Sequence, residues 1–288
     1  MNKKIVFLCL TLLSLGFFTP LLAQNQRYKI ALIDLMLLKR QKLGAIPLTQ
    51  QLGADGLEID MGGLGQRPTF QNQLAVDSIR QQFLNKAKES KIEICSLAMT
   101  GYYAQSFCGR YEYIQSIQDC IQTMQLMNVK VGFLPLGVQC DLKQNPSVRD
   151  SVVKRLKVVG QLAEEAGVII GIETALSATE EVALLKEIDS PAIQIYFNFS
   201  TPLKEGRDLC KELKILGKSR ICMIHCTNKD GVWLQNDPEI DLKKVKKTLD
   251  KLKWSGWLVV ERSRDANNPK DVKGNFGANT AYLKKIFQ

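Results

Sequence analysis

The sequence predicts a single (β/α)8 barrel, and three observations predict it. Eight apolar, β-branched runs recur along its 288 residues. Longer amphipathic stretches, with apolar residues every three or four positions, separate the runs. No linker, low-complexity tract or shift in composition interrupts the alternation. Eight βα units in a chain of this size are what a closed barrel requires. The competing arrangement is an open, doubly wound sheet, which usually has fewer strands and a phosphate-binding glycine fingerprint. The one glycine cluster that follows a strand, "MGGLGQRP" at 61–68, lacks the G-x-G-x-x-G spacing and reads either as a flexible loop at the active site or as a plain turn.

The elements follow in order. Lys3 and Lys4 precede an apolar run from Ile5 to about Phe18, then Pro20 and the small Ala23. That is the pattern of a secretory signal peptide over 1–23, cleaved after Ala23. The run is shorter than the roughly 20 residues of a membrane span, and no other segment could cross one. The barrel is therefore expected over 24–288, in an exported protein, periplasmic or secreted. Its strands are expected within "KIALIDLM", "GLEIDM", "KIEICSLAMT", "VKVGFLPL", "VIIGIETA", "IQIYFNF", "ICMIHCT" and "GWLVVER". Between them, Val76, Ile79, Phe83 and Ala87 mark one helix, and Val152, Leu156, Val159 and Ala163 another. Glycines just before strands, as in "EEAGVIIGIE" and "WSGWLVVE", suit helix C-caps.

The chain is basic, with a net charge of +10. Its lysines fall largely on helix faces. In "DLKKVKKTLDKLK" the apolar stripe is Leu242, Val245, Leu249 and Leu252, and the lysines take the other side. A solvated helix face explains this better than a nucleic-acid patch. Of eight cysteines, Cys9 lies in the leader, so an odd number remains. They form no CxxC pair. Most read as small core residues, and a disulfide framework is not expected at this length.

The chemistry is expected where barrel strands end. The run "VIIGIE" ends at Glu173, "IQIYFN" at Asn198, "ICMIH" at His225, the only histidine of the chain, and "WLVVE" at Glu261. Each of these side chains can bind a metal. Adjacent parallel strands lie about 4.8 Å apart, so the four can converge in the barrel mouth. One imidazole, one amide oxygen and two carboxylates suit a single divalent ion, Mn, Co, Mg or Zn, rather than a thiolate site. Cys226 points to the opposite face of its strand and stays outside. Glu173 and Glu261 are also candidate catalytic residues. Two carboxylates beside such an ion can remove and return a carbon-bound proton next to a sugar carbonyl, with the metal stabilising the enediolate.

These residues also carry a resemblance. The segments "LGADGLEID", "AGVIIGIET", "IYFNFST", "ILGKSRICMIHCTNKDGVW" and "KWSGWLVVER" resemble the sugar phosphate isomerase/epimerase family, the xylose isomerase-like TIM barrels. The likeness runs over the expected mature chain and is strongest from Gly167 to Glu261. It implies one divalent metal held at the ends of strands 5 to 8 and two glutamates acting as acid and base. Those roles fall on Glu173, His225 and Glu261. It implies too that Glu58, in "GLEI", lines the site, either behind the metal ligands or in contact with the substrate. Three places depart from the family pattern: Asn198 stands for the usual Asp, Thr201 for Asn or His, and Thr227–Asn228 interrupts the usual His-x-Lys-Asp or His-x-Lys-Glu.

The expected activity is that of an isomerase or epimerase on an unphosphorylated sugar. Tyr102, Tyr103 and Trp233, which follow strands 3 and 7, and Arg262 are expected to join Glu58 in contacting the carbohydrate. Two alternatives stay open: a carbohydrate-binding relative with a degenerate metal site, and a lyase or dehydratase using the same proton abstraction. A DNA endonuclease on this scaffold is excluded by the single histidine, and no nucleic-acid or membrane partner is expected. The sequence leaves open whether the chain is a homo-oligomer.

Overall fold

The computed structural model describes residues 26–288. The expected leader and its cleavage point lie outside the described residues. The strands are β1 Tyr28–Ile33, β2 Gly56–Asp60, β3 Glu93–Ala98, β4 Val131–Pro135, β5 Ile169–Glu173, β6 Ile193–Asn198, β7 Ile221–His225 and β8 Gly256–Val260. They pair in parallel in sequence order, and β8 pairs back onto β1 from Tyr28–Gly256 to Leu32–Val260, closing a barrel. The (β/α)8 TIM barrel is therefore the observed fold. The α-helices are α1 Asp34–Leu37, α2 Ala45–Gln51, α3 Asp77–Ser90, α4 Tyr113–Met127, α5 Arg149–Ala166, α6 Ala178–Ile188, α7 Ser200–Lys204, α8 Leu209–Leu216, α9 Leu242–Leu252 and α10 Val272–Phe287.

Two apolar layers result from the two-residue period of the strands. Outward residues such as Leu57, Ile170, Ile195 and Leu258 pack under the helices in the larger core. Inward residues Ala31, Ile33, Cys95, Ala98, Phe133, Tyr196, Met223 and Val259 fill the barrel itself. On α9 the stripe Leu242, Val245 and Leu249 is buried as expected, with its lysines on the other faces.

Several local expectations need correction. Gly167 does cap α5 in the left-handed conformation, but Gly256 caps nothing. There the left-handed cap of α9 is Lys253, and Gly256 instead opens β8 in contact with Trp254. Val76 precedes α3 rather than lying in its stripe and is 51% exposed. The glycine-rich stretch 61–68 follows the end of β2 but lines no cavity there. Leu64 and Phe70 bury themselves against Gly101 and Tyr102, and a Cβ at Gly62 would lie 2.4 Å from the Gln71 carbonyl oxygen, so the stretch is a packed turn. One disulfide, Cys108–Cys140, ties the β3–α4 connection to the β4–α5 connection. Cys95, Cys120, Cys210, Cys222 and Cys226 are free, all but Cys222 fully buried.

Candidate active site

The ends of β5 to β8 bring four side chains to one place. Ile172, Phe197, Ile224 and Val260 face the outer core, so their successors Glu173, Asn198, His225 and Glu261 turn inward. The β6–β7 register sets Asn198 beside His225. Room for this comes partly from Gly171. A Cβ there would sit 2.5 Å from Cys222 Sγ and 3.0 Å from Tyr196 Cδ2, so its absence lets the Tyr196 ring lie inside the barrel beneath the site.

Asn198 Nδ2 donates to Glu173 Oε2 at 2.9 Å and to Glu261 Oε2 at 3.4 Å. Its Oδ1 accepts from the backbone N–H and the hydroxyl of Ser200, at 3.0 and 2.8 Å. His225 is fully buried. Its Nε2 meets Glu58 Oε1 at 3.1 Å, and its Nδ1 faces Glu173 Oε2 at 3.6 Å and Glu261 Oε2 at 3.9 Å. The ring packs edge-on against Phe133 and tilted on Tyr196. Glu58 in turn accepts from the hydroxyls of Ser96 and Tyr196, each at 2.6 Å. Tyr103 donates to Glu173 Oε1 at 3.0 Å. Thr227 Oγ1 accepts from the backbone N–H groups of Glu261 and Arg262 and fixes the turn after β8.

Charge follows from this geometry. Burial opposes a charged imidazole, but the Glu58 charge, the nearby Glu173 carboxylate and the hydrogen bond to Glu58 outweigh it and hold His225 well above its ordinary pKa. Burial likewise opposes a charged Glu58, yet the His225 charge and three hydrogen bonds keep its pKa below the usual value. Glu261 goes the other way: burial and the neighbouring Glu173 raise it, against the pull of His225. Three carboxyl groups thus surround one buried imidazole: Glu58 and His225 are fully covered, and the Glu173 and Glu261 side chains are 14% and 12% exposed.

Above this cluster opens a cavity of about 810 Å³. Tyr103 and Arg262 line it beside the carboxyl groups, and Asn228, Asp230 and the 135–144 and 200–205 segments supply other walls.

Not every expected contact reaches that cavity. Glu58 lies below it, two residues short of the end of β2 and completely covered, where it serves His225 rather than a ligand. Tyr102 is a core residue: it is fully buried, its hydroxyl bonds Ser116, and Phe70 and Phe107 pack edge-on against its ring. The aromatic at the cavity is its neighbour Tyr103, because the short helical turn at Thr100–Tyr103 points successive side chains in different directions. Trp233 turns its indole N–H onto Asn275 Oδ1 of α10 at 2.8 Å and does not line the cavity. Arg262 does line it, with its guanidinium 3.8 Å from Asp230.

Among the described residues, no group of three or more His, Cys, Asp or Glu side chains forms a ready-made metal site. The donor types nevertheless suit a divalent cation. Nδ1 of His225 is buried without a hydrogen-bond partner and faces two carboxylate oxygens. The cluster sets three carboxyl groups, Glu58, Glu173 and Glu261, around one imidazole. What interrupts the set is Asn198, which aims its amide nitrogen, not its oxygen, between the two glutamates. An amide turned over would offer the oxygen at the cost of its bonds to Ser200.

The model of the xylose isomerase-like TIM barrel family matches residues 46–285. The chain belongs to that family. No curated protein matches the sequence. Solved members of similar architecture share little sequence with it. D-psicose 3-epimerase from Clostridium cellulolyticum H10, solved with D-tagatose, superposes with a TM-score of 0.72 at 14% identity, covering 90% of this chain and 99% of that one. A 3-keto-D-glucoside 4-epimerase from E. coli gives 0.71 at 16%, covering 90% and 99%. A sugar phosphate isomerase/epimerase from Parabacteroides distasonis gives 0.69 at 14%, covering 92% and 97%. At these identities the likeness speaks to the fold. In this xylose isomerase-like barrel, the strand-end reading reaches the four clustered residues but not their supports. Ser96 and Tyr196 could have been found, since both face inward on strands already recognised; Tyr196 lies two residues before Asn198. The wall at 135–144 has no periodic signal, because a disulfide and loop hydrogen bonds shape it.

Proposed function

We propose that the protein is a sugar isomerase or epimerase that moves a proton at a carbon next to a carbonyl. The observation that carries this is the pair Glu173 and Glu261, held together on one amide, with Glu173 lining a large cavity. One carboxylate takes the carbon-bound proton, and the other delivers a proton to the same or the adjacent carbon. Glu261, with its raised pKa, is suited to hold a proton for delivery, and Glu173, fixed by Tyr103 and Asn198, to accept one. His225 supplies positive charge beside both, and Glu58 fixes its ring orientation. A divalent cation, when bound, would take the place of the His225 proton, would be held by Glu173, neutral His225, Glu261 and a turned Asn198, and would supply a Lewis acid for the carbonyl oxygen. The sugar-acting neighbours support the reading, and the amino-terminal sequence supports an exported enzyme.

A panel of ketoses and aldoses incubated with the protein in D2O tests the proposal. Deuterium should enter next to the carbonyl and be read by NMR. Glu173→Gln and Glu261→Gln should each lose about 10²–10⁴ of that rate while circular dichroism stays unchanged. Exchange that survives both substitutions would remove the proposal.

One observation favours a second reading, a sugar-binding protein without turnover: Asn198 already bridges the two carboxylates as a donor. Binding without exchange, with or without added Mn²⁺, is its signature. A lyase would share the exchange step and differ in its products.

A further inference from the structure

Resting on the isomerase or epimerase reading, we infer that the substrate is a sugar carrying a second, uncharged group through a glycosidic bond, not a free monosaccharide. The cavity is the first ground. Its volume of about 810 Å³ stands near the top of the roughly 300–1,000 Å³ range of small-molecule sites. A single sugar ring placed against Glu173 and Arg262 leaves the outer part to be filled.

That outer part is built and held. The strap from Leu136 to Gln144 leaves β4 through Gly137, at φ +78°, where a Cβ would meet the Tyr102 carbonyl oxygen at 2.2 Å. Cys140 fastens the strap to Cys108. Asp141 Oδ1 accepts from the N–H groups of Lys143 and Gln144, at 2.8 and 3.3 Å. The Lys143 ammonium then pairs with Glu205, just past α7, and joins the two walls. A space so bounded stays open without a ligand to shape it.

The chemistry of these walls selects the occupant. Val138, Leu142 and Leu203 offer aliphatic surface beside hydroxyl and carboxylate edges. Val138 is 77% exposed, an apolar side chain held out in water by a fixed strap. Such a surface suits a ring with an apolar C–H face and polar edges. It does not suit phosphate. The cations lining the cavity are mostly paired: Lys143 with Glu205, Lys229 with Glu239 and Arg262 with Asp230. Only Lys204 among them has no ion-pair partner among the described residues.

Calorimetric titration of the full chain with matched pairs tests this: D-fructose against isomaltulose, and D-glucose against cellobiose and p-nitrophenyl β-D-glucopyranoside. At least one glycosylated member should bind about tenfold tighter than its partner. Val138→Trp, which fills the outer space from an exposed strap, should bring that ratio close to one. Equal affinity within every pair, or a preference untouched by both Val138→Trp and Leu203→Trp, overturns the inference, and the deuterium-exchange result then still stands or falls by itself. If no sugar binds and none is exchanged, both proposals fall together.

Discussion

Asn198 is the residue on which the chemistry of the mouth turns. It places an amide N–H₂ between Glu173 and Glu261 and spends its oxygen on Ser200. Asn198→Asp would remove that donor and add a fourth carboxylate to Glu58, Glu173 and Glu261. A buried charge left unpaired costs about 3–5 kcal/mol, so the metal-free variant should melt several degrees lower. It should also gain more from added Mn²⁺ than the wild type does. Differential scanning fluorimetry with and without Mn²⁺ reads both effects, and an unchanged response to the ion would argue against a cation at this position. A second buried carboxyl lies just outside the barrel. Glu181 accepts from Thr174 at 2.8 Å, and burial raises its pKa to about 8. The folded state therefore keeps a proton that the unfolded chain releases near pH 4.5. The sign follows: the Glu181 contribution is intact below that pH and is lost as pH rises toward about 8. Glu181→Gln should flatten the fall in stability across this window, by a few kcal/mol at its upper end, measured by urea denaturation at stepped pH.

At the scale of elements, the strands were legible and their connections were not. Each expected strand exists, because a buried parallel strand needs a continuous apolar run and tolerates a polar residue only where the run meets the mouth. That rule also exposed Glu173, Asn198, His225 and Glu261. It did not separate Tyr102 from Tyr103, since a helical turn, not a two-residue period, aims them. Nor did it place Trp233, whose direction depends on α10, which lies 42 positions from it at Asn275. The strap after β4 was invisible for a related reason. Its shape depends on a disulfide, and pairing of cysteines 32 positions apart has no local signature. Closing a loop of that length by a covalent bond should contribute about 3–4 kcal/mol through the unfolded chain. The double substitution of Cys108 and Cys140 by Ser should lower stability by about that much in guanidinium titrations, and should loosen isomaltulose more than D-fructose. A variant as stable as the wild type would show that the bond constrains little.

For the whole molecule, closure of the barrel explains why one polar cluster can be so densely charged. Eight strands leave an interior just wide enough for side chains, and here it is filled from below by Met223, Val259, Tyr196 and Phe133. Water is kept from Glu58 and His225, so their pairing depends on each other. The same closure makes the molecule its own instrument. Among 288 residues there is one imidazole, and it stands at the centre of the proposed chemistry. A proton spectrum of the unlabelled protein therefore carries a single histidine Hε1 signal, with no choice among histidines to make. Because Glu58, Glu173 and Glu261 hold His225 well above its ordinary pKa, that signal should titrate with a midpoint above the ordinary value of about 6.5 in metal-free protein. A midpoint at or below the ordinary value would contradict the charge arrangement. Titration with Mn²⁺ should broaden that one line before most others, so that ring orientation, proton inventory and ion occupancy are all read from one resonance.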